Sequence, residues 1–83
     1  MILDDDDIIA LLSQGIDTVP MMAYRLMDLP PIIPSRLDMR TRRDFRRLCQ
    51  RLHDRLNRME KWHEVVSCDP RFGERARVWR LPE

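Results

Sequence analysis

The chain has 83 residues, enough for one small domain over 1–83 and too few for a second core. Hydrophobic residues at 43% can fill that core, which excludes a disordered chain although 35% of the residues are charged, and no apolar run reaches the roughly 18 residues a membrane span needs. The net charge of +1 hides an asymmetry: residues 1 to 34 carry six acids and one arginine, residues 35 to 83 fourteen bases and eight acids, so the chain is an electrical dipole along its length.

Met1-Ile2-Leu3 is followed at once by Asp4 to Asp7, an acidic segment over 1–7 where a secretory leader would be basic, so no leader is expected. Cys49 and Cys68 fit a reducing compartment as small core residues. A soluble, cytoplasmic protein is the expectation. The four aspartates precede Ile8, Ile9, Leu11 and Leu12, and Gly15 follows, which predicts a short first helix with acids at its start and glycine just past its end. At this terminus the acidic run is expected to favour the helix start rather than to pair specifically with, and so shield, the arginines further on.

Asp17 or Thr18 caps a second helix, in which Val19 and Pro20 occupy the first turn and Met22, Ala23, Leu26 and Met27 form the apolar face. The methionines, Met39 and Met59 included, read as core filler, with Met21 and Met22 together as an alternative partner surface. Leu29-Pro30-Pro31-Ile32-Ile33-Pro34 ends this helix, because proline lacks the backbone donor and biases its predecessor to extended geometry.

The longest predicted element runs from Thr41 to Lys61, with a possible start nearer Ser35. Thr41 and Asp44 have the spacing of a capping box, and Phe45, Leu48, Cys49, Leu52, Leu56 and Met59 make an apolar seam. The other side carries Arg43, Arg47, Arg51 and Arg55 at spacings of four, flanked by Arg46, Gln50, Asp54 and Arg58. Nine arginines lie between Arg36 and Arg58, whereas Asp44 and Asp54 are the only acids between residues 40 and 59. A solvated helix face usually mixes its signs and pairs them. A one-signed row on a rigid rod instead suits a row of phosphates.

Beyond Trp62 the period changes. Glu64 to Cys68 and Arg75 to Leu81 read as strands, joined by the turn-forming Asp69-Pro70-Arg71-Phe72-Gly73, which predicts a basic β-hairpin. Three helices, an arginine-covered third helix, then Val65-Val66, a Gly-Glu-Arg turn and Arg77-Val78-Trp79-Arg80-Leu81 resemble the winged helix-turn-helix DNA-binding domain, over about Ile8 to Leu81. The resemblance implies a mainly α fold with a small β-hairpin as wing, with Trp79 and Leu81 returning to the core. Trp62-His63 stands where family members often have glycine, and the link before the third helix is long and rich in proline. The resemblance further implies that the third helix enters the major groove of double-stranded DNA, with Arg40, Arg42, Arg43, Arg46, Arg47 and Gln50 nearest the duplex and Arg71 and Arg75 on the wing. A small transcriptional regulator follows, with a second copy or a protein partner to extend its footprint. The alternative is the same fold as a protein-interaction module without DNA contact.

Other chemistry has less support. Cys49 and His53 with His63 and Cys68 offer four zinc-ligand types, but their spacing matches no zinc signature, and no metal or other cofactor is expected. With two glycines, no nucleophile motif and no phosphate loop, no catalytic residue is expected either.

Overall fold

Carboxylates gather at the start of the first helix because they meet its unpaired N–H groups and the positive end of its dipole. In the structure, a computed structural model that describes residues 3–29, 37–69 and 76–82, α1 spans Asp5–Ser13 with Asp4 at its N-cap. The Asp4 N–H donates to the Asp7 carboxylate at 3.2 Å. Thr18, the second of the two candidate caps, precedes α2 (Val19–Leu26), with Pro20 in its first turn. Then come α3 (Met39–Lys61), β1 (Val66–Cys68) and β2 (Val78–Arg80). The strands pair antiparallel with Ser67 facing Trp79. The described residues are thus mainly helical with a small hairpin, as expected, and no helix among them is long and apolar enough to cross a membrane.

α3 starts between the two expected positions, Thr41 and Ser35, and the capping box expected for it is corrected. Asp38 is the N-cap and its carboxylate accepts the Thr41 N–H at 3.3 Å, so Thr41 lies inside the first turn and the expected Thr41–Asp44 capping box is not used. Aspartate is the stronger cap, and it draws the helix start forward. Hydrogen bonds from the Thr41 side chain, then from its backbone, hold the Asp38 carboxyl below its ordinary pKa. The strands are also shorter than expected, because Val65 turns into the core before pairing begins and Leu81 lies beyond the last pair. Residues 30–36, which hold most of the expected proline-rich break, and 70–75, which hold most of the expected turn, lie outside the described residues.

The three described helices end in the same way. After α1, Gly15 takes φ +84°, its N–H bonding the Leu12 carbonyl and the Ile16 N–H bonding that of Leu11. Asp28 (φ 54°) repeats this after α2 with Arg25 and Tyr24, and His63 (φ 59°) after α3 with Glu60 and Met59. Each is the paired Schellman closure, which needs one left-handed residue. Glycine fills that position once, and aspartate and histidine, which tolerate it better than most, fill it twice. His63 therefore has the backbone conformation for which glycine is usually chosen.

Ile8, Leu11, Leu12, Met22, Ala23, Tyr24, Leu37, Val65 and Trp79 close over the buried side of α3, which contributes Phe45, Leu48, Leu52, Leu56 and Met59. Leu52 and Leu56 are fully buried, and truncating either to Ala removes about 2–5 kcal/mol. Tyr24 of α2 packs against Phe45 of α3 with ring centroids 4.7 Å apart and planes tilted by 36°, and burial raises the Tyr24 pKa. The expectation for the methionines holds only in part. Met22 is fully buried and Met21 half-exposed, so they form no joint surface, and Met39 is exposed rather than in the core. The hairpin is tied on both edges: the Ser67 N–H donates to the Glu60 carboxylate at 3.1 Å, and the Trp79 N–H to the Asp17 carbonyl at 2.8 Å. These bonds occupy edge groups that would otherwise be open to another strand.

Candidate nucleic-acid interface

α3 is 23 residues long, about 34 Å at the rise of an α-helix, and its polarity is sharply divided. With Phe45, Leu48, Leu52, Leu56 and Met59 facing inward, successive turns carry Arg40, Arg43, Arg47 and Gln50 on the opposite side. All four are exposed, as is Arg46 on the flank beside the start of α2, where Val19, Phe45, Cys49 and His53 line a shallow cleft. Since α2 has no acid in its first turn, its N-terminus adds partial positive charge next to Arg46 and Gln50. Arg51, Arg58 and Lys61 extend the exposed cations along the same helix.

Two of the expected arginines behave differently from their neighbours. Arg42 is half-buried, and its Nη2 donates to the Leu37 carbonyl at 3.1 Å, so it braces the turn entering α3. Arg55, the fourth of the row spaced by four, is half-buried against α1, where its Nε donates to Asp5 Oδ1 at 2.5 Å. The reason is geometric. Each step of four residues advances about 40° around a helix with 3.6 residues per turn, so three steps carry the row from the outer face to the edge of the core. The expectation that the acidic start makes no specific pair is thereby corrected: Asp5 has an arginine partner, though far from the N-terminal half of α3.

Arg71 and Arg75 lie outside the described residues. On β2, Trp79 points into the core while Arg80 faces out, the alternation expected of a strand covered on one side. Arg77 borders a cleft with Val19, His53, Ala76 and Trp79, which puts a hairpin cation near the start of α2 and the middle of α3. The alternation of charged and apolar residues after Arg75 was the signal for both. Gln50 Nε2 donates to Asp54 Oδ1 at 3.0 Å, a pairing visible in the sequence only as a spacing of four.

The zinc candidates do not converge. Among the described residues no group of three or more His, Cys, Asp or Glu side chains lies close enough to hold a metal ion. His53 instead meets the Trp79 ring edge-on at 6.4 Å, linking α3 to β2. Burial pushes the half-buried Cys49 thiol up to about 11, which keeps it protonated and unreactive near neutral pH.

A contrast between two helix starts sets this face apart. α1 begins with a run of carboxylates, as the helix dipole favours, whereas α3 has the single N-cap carboxylate of Asp38 followed by Arg40 and Arg42 in its first turn and Arg43, Arg46 and Arg47 just beyond it. Their mutual repulsion, and for Arg40 and Arg42 repulsion from the dipole, opposes folding. An anion approaching the start of α3 is attracted by the arginines and by the dipole. Comparison with known proteins gives no matching family, no similar curated protein and no similar solved structure.

Proposed function

We propose that this chain is a double-stranded DNA-binding protein of winged helix-turn-helix type, a small transcriptional regulator in which α3 is the recognition helix and the hairpin the wing. The observation that carries the reading is the row of exposed arginines over the N-terminal half of α3, whose first turn holds no acid. Arg40, Arg43, Arg46 and Arg47 supply phosphate contacts and bidentate bonds to guanine, and Gln50 a further base contact. Arg77 and Arg80 hold the backbone beside the wing, with Arg71 and Arg75 as further candidates. No catalytic step and no cofactor enter this function. Specific recognition by so small a surface calls for a second copy or a protein partner on adjoining half-sites.

Titration of the protein with duplex DNA at low and moderate salt tests the reading. Phosphate binding requires the logarithm of the affinity to fall linearly with the logarithm of salt concentration, by about 0.9 per neutralised phosphate. Absence of duplex binding at low salt would overturn it and favour the interaction module, with the arginine face docked on an acidic protein.

A further inference from the structure

Gln50 and Asp54 stand one turn apart on the outer side of α3, both exposed, joined by the bond from Gln50 Nε2 to Asp54 Oδ1 at 3.0 Å. A carboxylate only accepts hydrogen bonds, so the glutamine atom that meets it is the amide nitrogen. An amide carries two N–H donors and one oxygen acceptor. Asp54 engages one donor, which leaves one N–H and Oε1 for anything else. In the major groove adenine offers one acceptor, N7, beside one donor, N6, whereas guanine offers two acceptors, N7 and O6. An untethered glutamine can turn both N–H groups to guanine. With one of them held, the remaining donor and acceptor match adenine.

We infer that Asp54 is a positioning residue that makes Gln50 an adenine reader, an inference that rests on the DNA-binding reading above. The charge of Asp54 points the same way. Asp44, the other acid of this stretch, lies on the flank beside Met27, whereas Asp54 interrupts the cationic stripe itself. A carboxylate there weakens attraction to a polyanion, and it also repels the paired acceptors of guanine. Orienting Gln50 is the benefit that offsets the loss.

The test is selection from a randomised duplex library with the wild-type protein and the Gln50→Ala, Asp54→Ala and Asp54→Glu variants. Both positions are exposed in mid-helix, and circular dichroism verifies that each variant is folded. The wild type is expected to enrich adenine over guanine about tenfold at one position of its site. Gln50→Ala abolishes that preference. Asp54→Ala reduces it to about twofold or less, with guanine rising at that position, while bulk duplex binding at low salt increases. Asp54→Glu restores adenine, because a longer carboxylate still reaches a partner one turn away. An unchanged adenine preference in Asp54→Ala, or a wild type that binds duplex with no position dependent on Gln50, overturns the inference and leaves DNA binding standing. A wild type that binds no duplex overturns the DNA-binding reading itself.

Discussion

Arg55 Nε donates to Asp5 Oδ1 at 2.5 Å, joining the first turn of α1 to the C-terminal half of α3. The acidic and basic parts of the chain thus meet, but at a point twelve residues, or about 18 Å of helix rise, from Arg43. At physiological salt a charge is screened over about 8 Å. The contact docks α1 and lies beyond screening range of Arg43.

Asp5→Asn is therefore expected to lower stability by about 0–1 kcal/mol, since both side chains remain a third or more open to solvent. Duplex affinity at moderate salt should stay within about twofold of wild type. Thermal melts and a duplex titration measure both. A large affinity gain that fades as salt is added would show instead that the acidic start inhibits binding.

Replacing Arg43 and Arg47 together by Ala is expected to leave the melting temperature nearly unchanged or to raise it slightly, because both are exposed and stand among like charges on the same face of α3. DNA affinity should fall by about 1–3 kcal/mol for each arginine that reads a base. Where they hold phosphates, the salt dependence flattens by about 2 in its slope. Unaltered affinity and slope in a folded variant would remove these residues from the interface.

His63→Gly should stabilise the protein by about 0.5–1 kcal/mol. An L side chain at φ 59° pays about 1–2 kcal/mol, and the greater freedom of glycine in the unfolded chain takes back part of the gain. Asp28→Gly, at φ 54°, should act in the same direction. Denaturant midpoints measure each change. Destabilisation at position 63 would mean that the imidazole makes a contact worth more than the backbone strain.

The Asp38 cap makes a pH-dependent contribution. Because the folded carboxyl has a lowered pKa, its share of stability is present above the unfolded value of about 4 and is lost as pH falls through the folded one. Asp38→Ala is accordingly expected to melt at a lower temperature than wild type near neutral pH, and the two should converge in acid below the carboxylate range. A gap that persists there would mean that the substitution acts through something other than the charged cap.

The apolar seam of α3 was legible from residue spacing alone, and its members are buried apart from Cys49 at its edge. A period of 3.6 leaves few ways to hide Phe45, Leu48, Leu52, Leu56 and Met59 at once. Gly15 announced the end of α1 because glycine favours positive φ, but Asp28 and His63 carried no such mark. Among the candidate contacts, composition identified the arginines without distinguishing Arg42 and Arg55, which are half-buried and bonded inward, from Arg43, Arg46 and Arg47, which face solvent.

The order of elements, the core face of α3 and the arginine row on its other side were legible along the chain, since they follow from local periodicity and charge, whereas on α2 Tyr24 is buried and the expected Leu26 and Met27 are only half-buried. That Asp5 meets Arg55, that Glu60 and Asp17 hold the two edges of the hairpin and that His53 packs on Trp79 emerged from the packing of the elements. The partners in three of these contacts are far apart in the chain, and even Glu60 reaches Ser67 only after the turn at His63. Such contacts depend on how α1 and the hairpin are set against α3, a geometry to which no single segment holds the information.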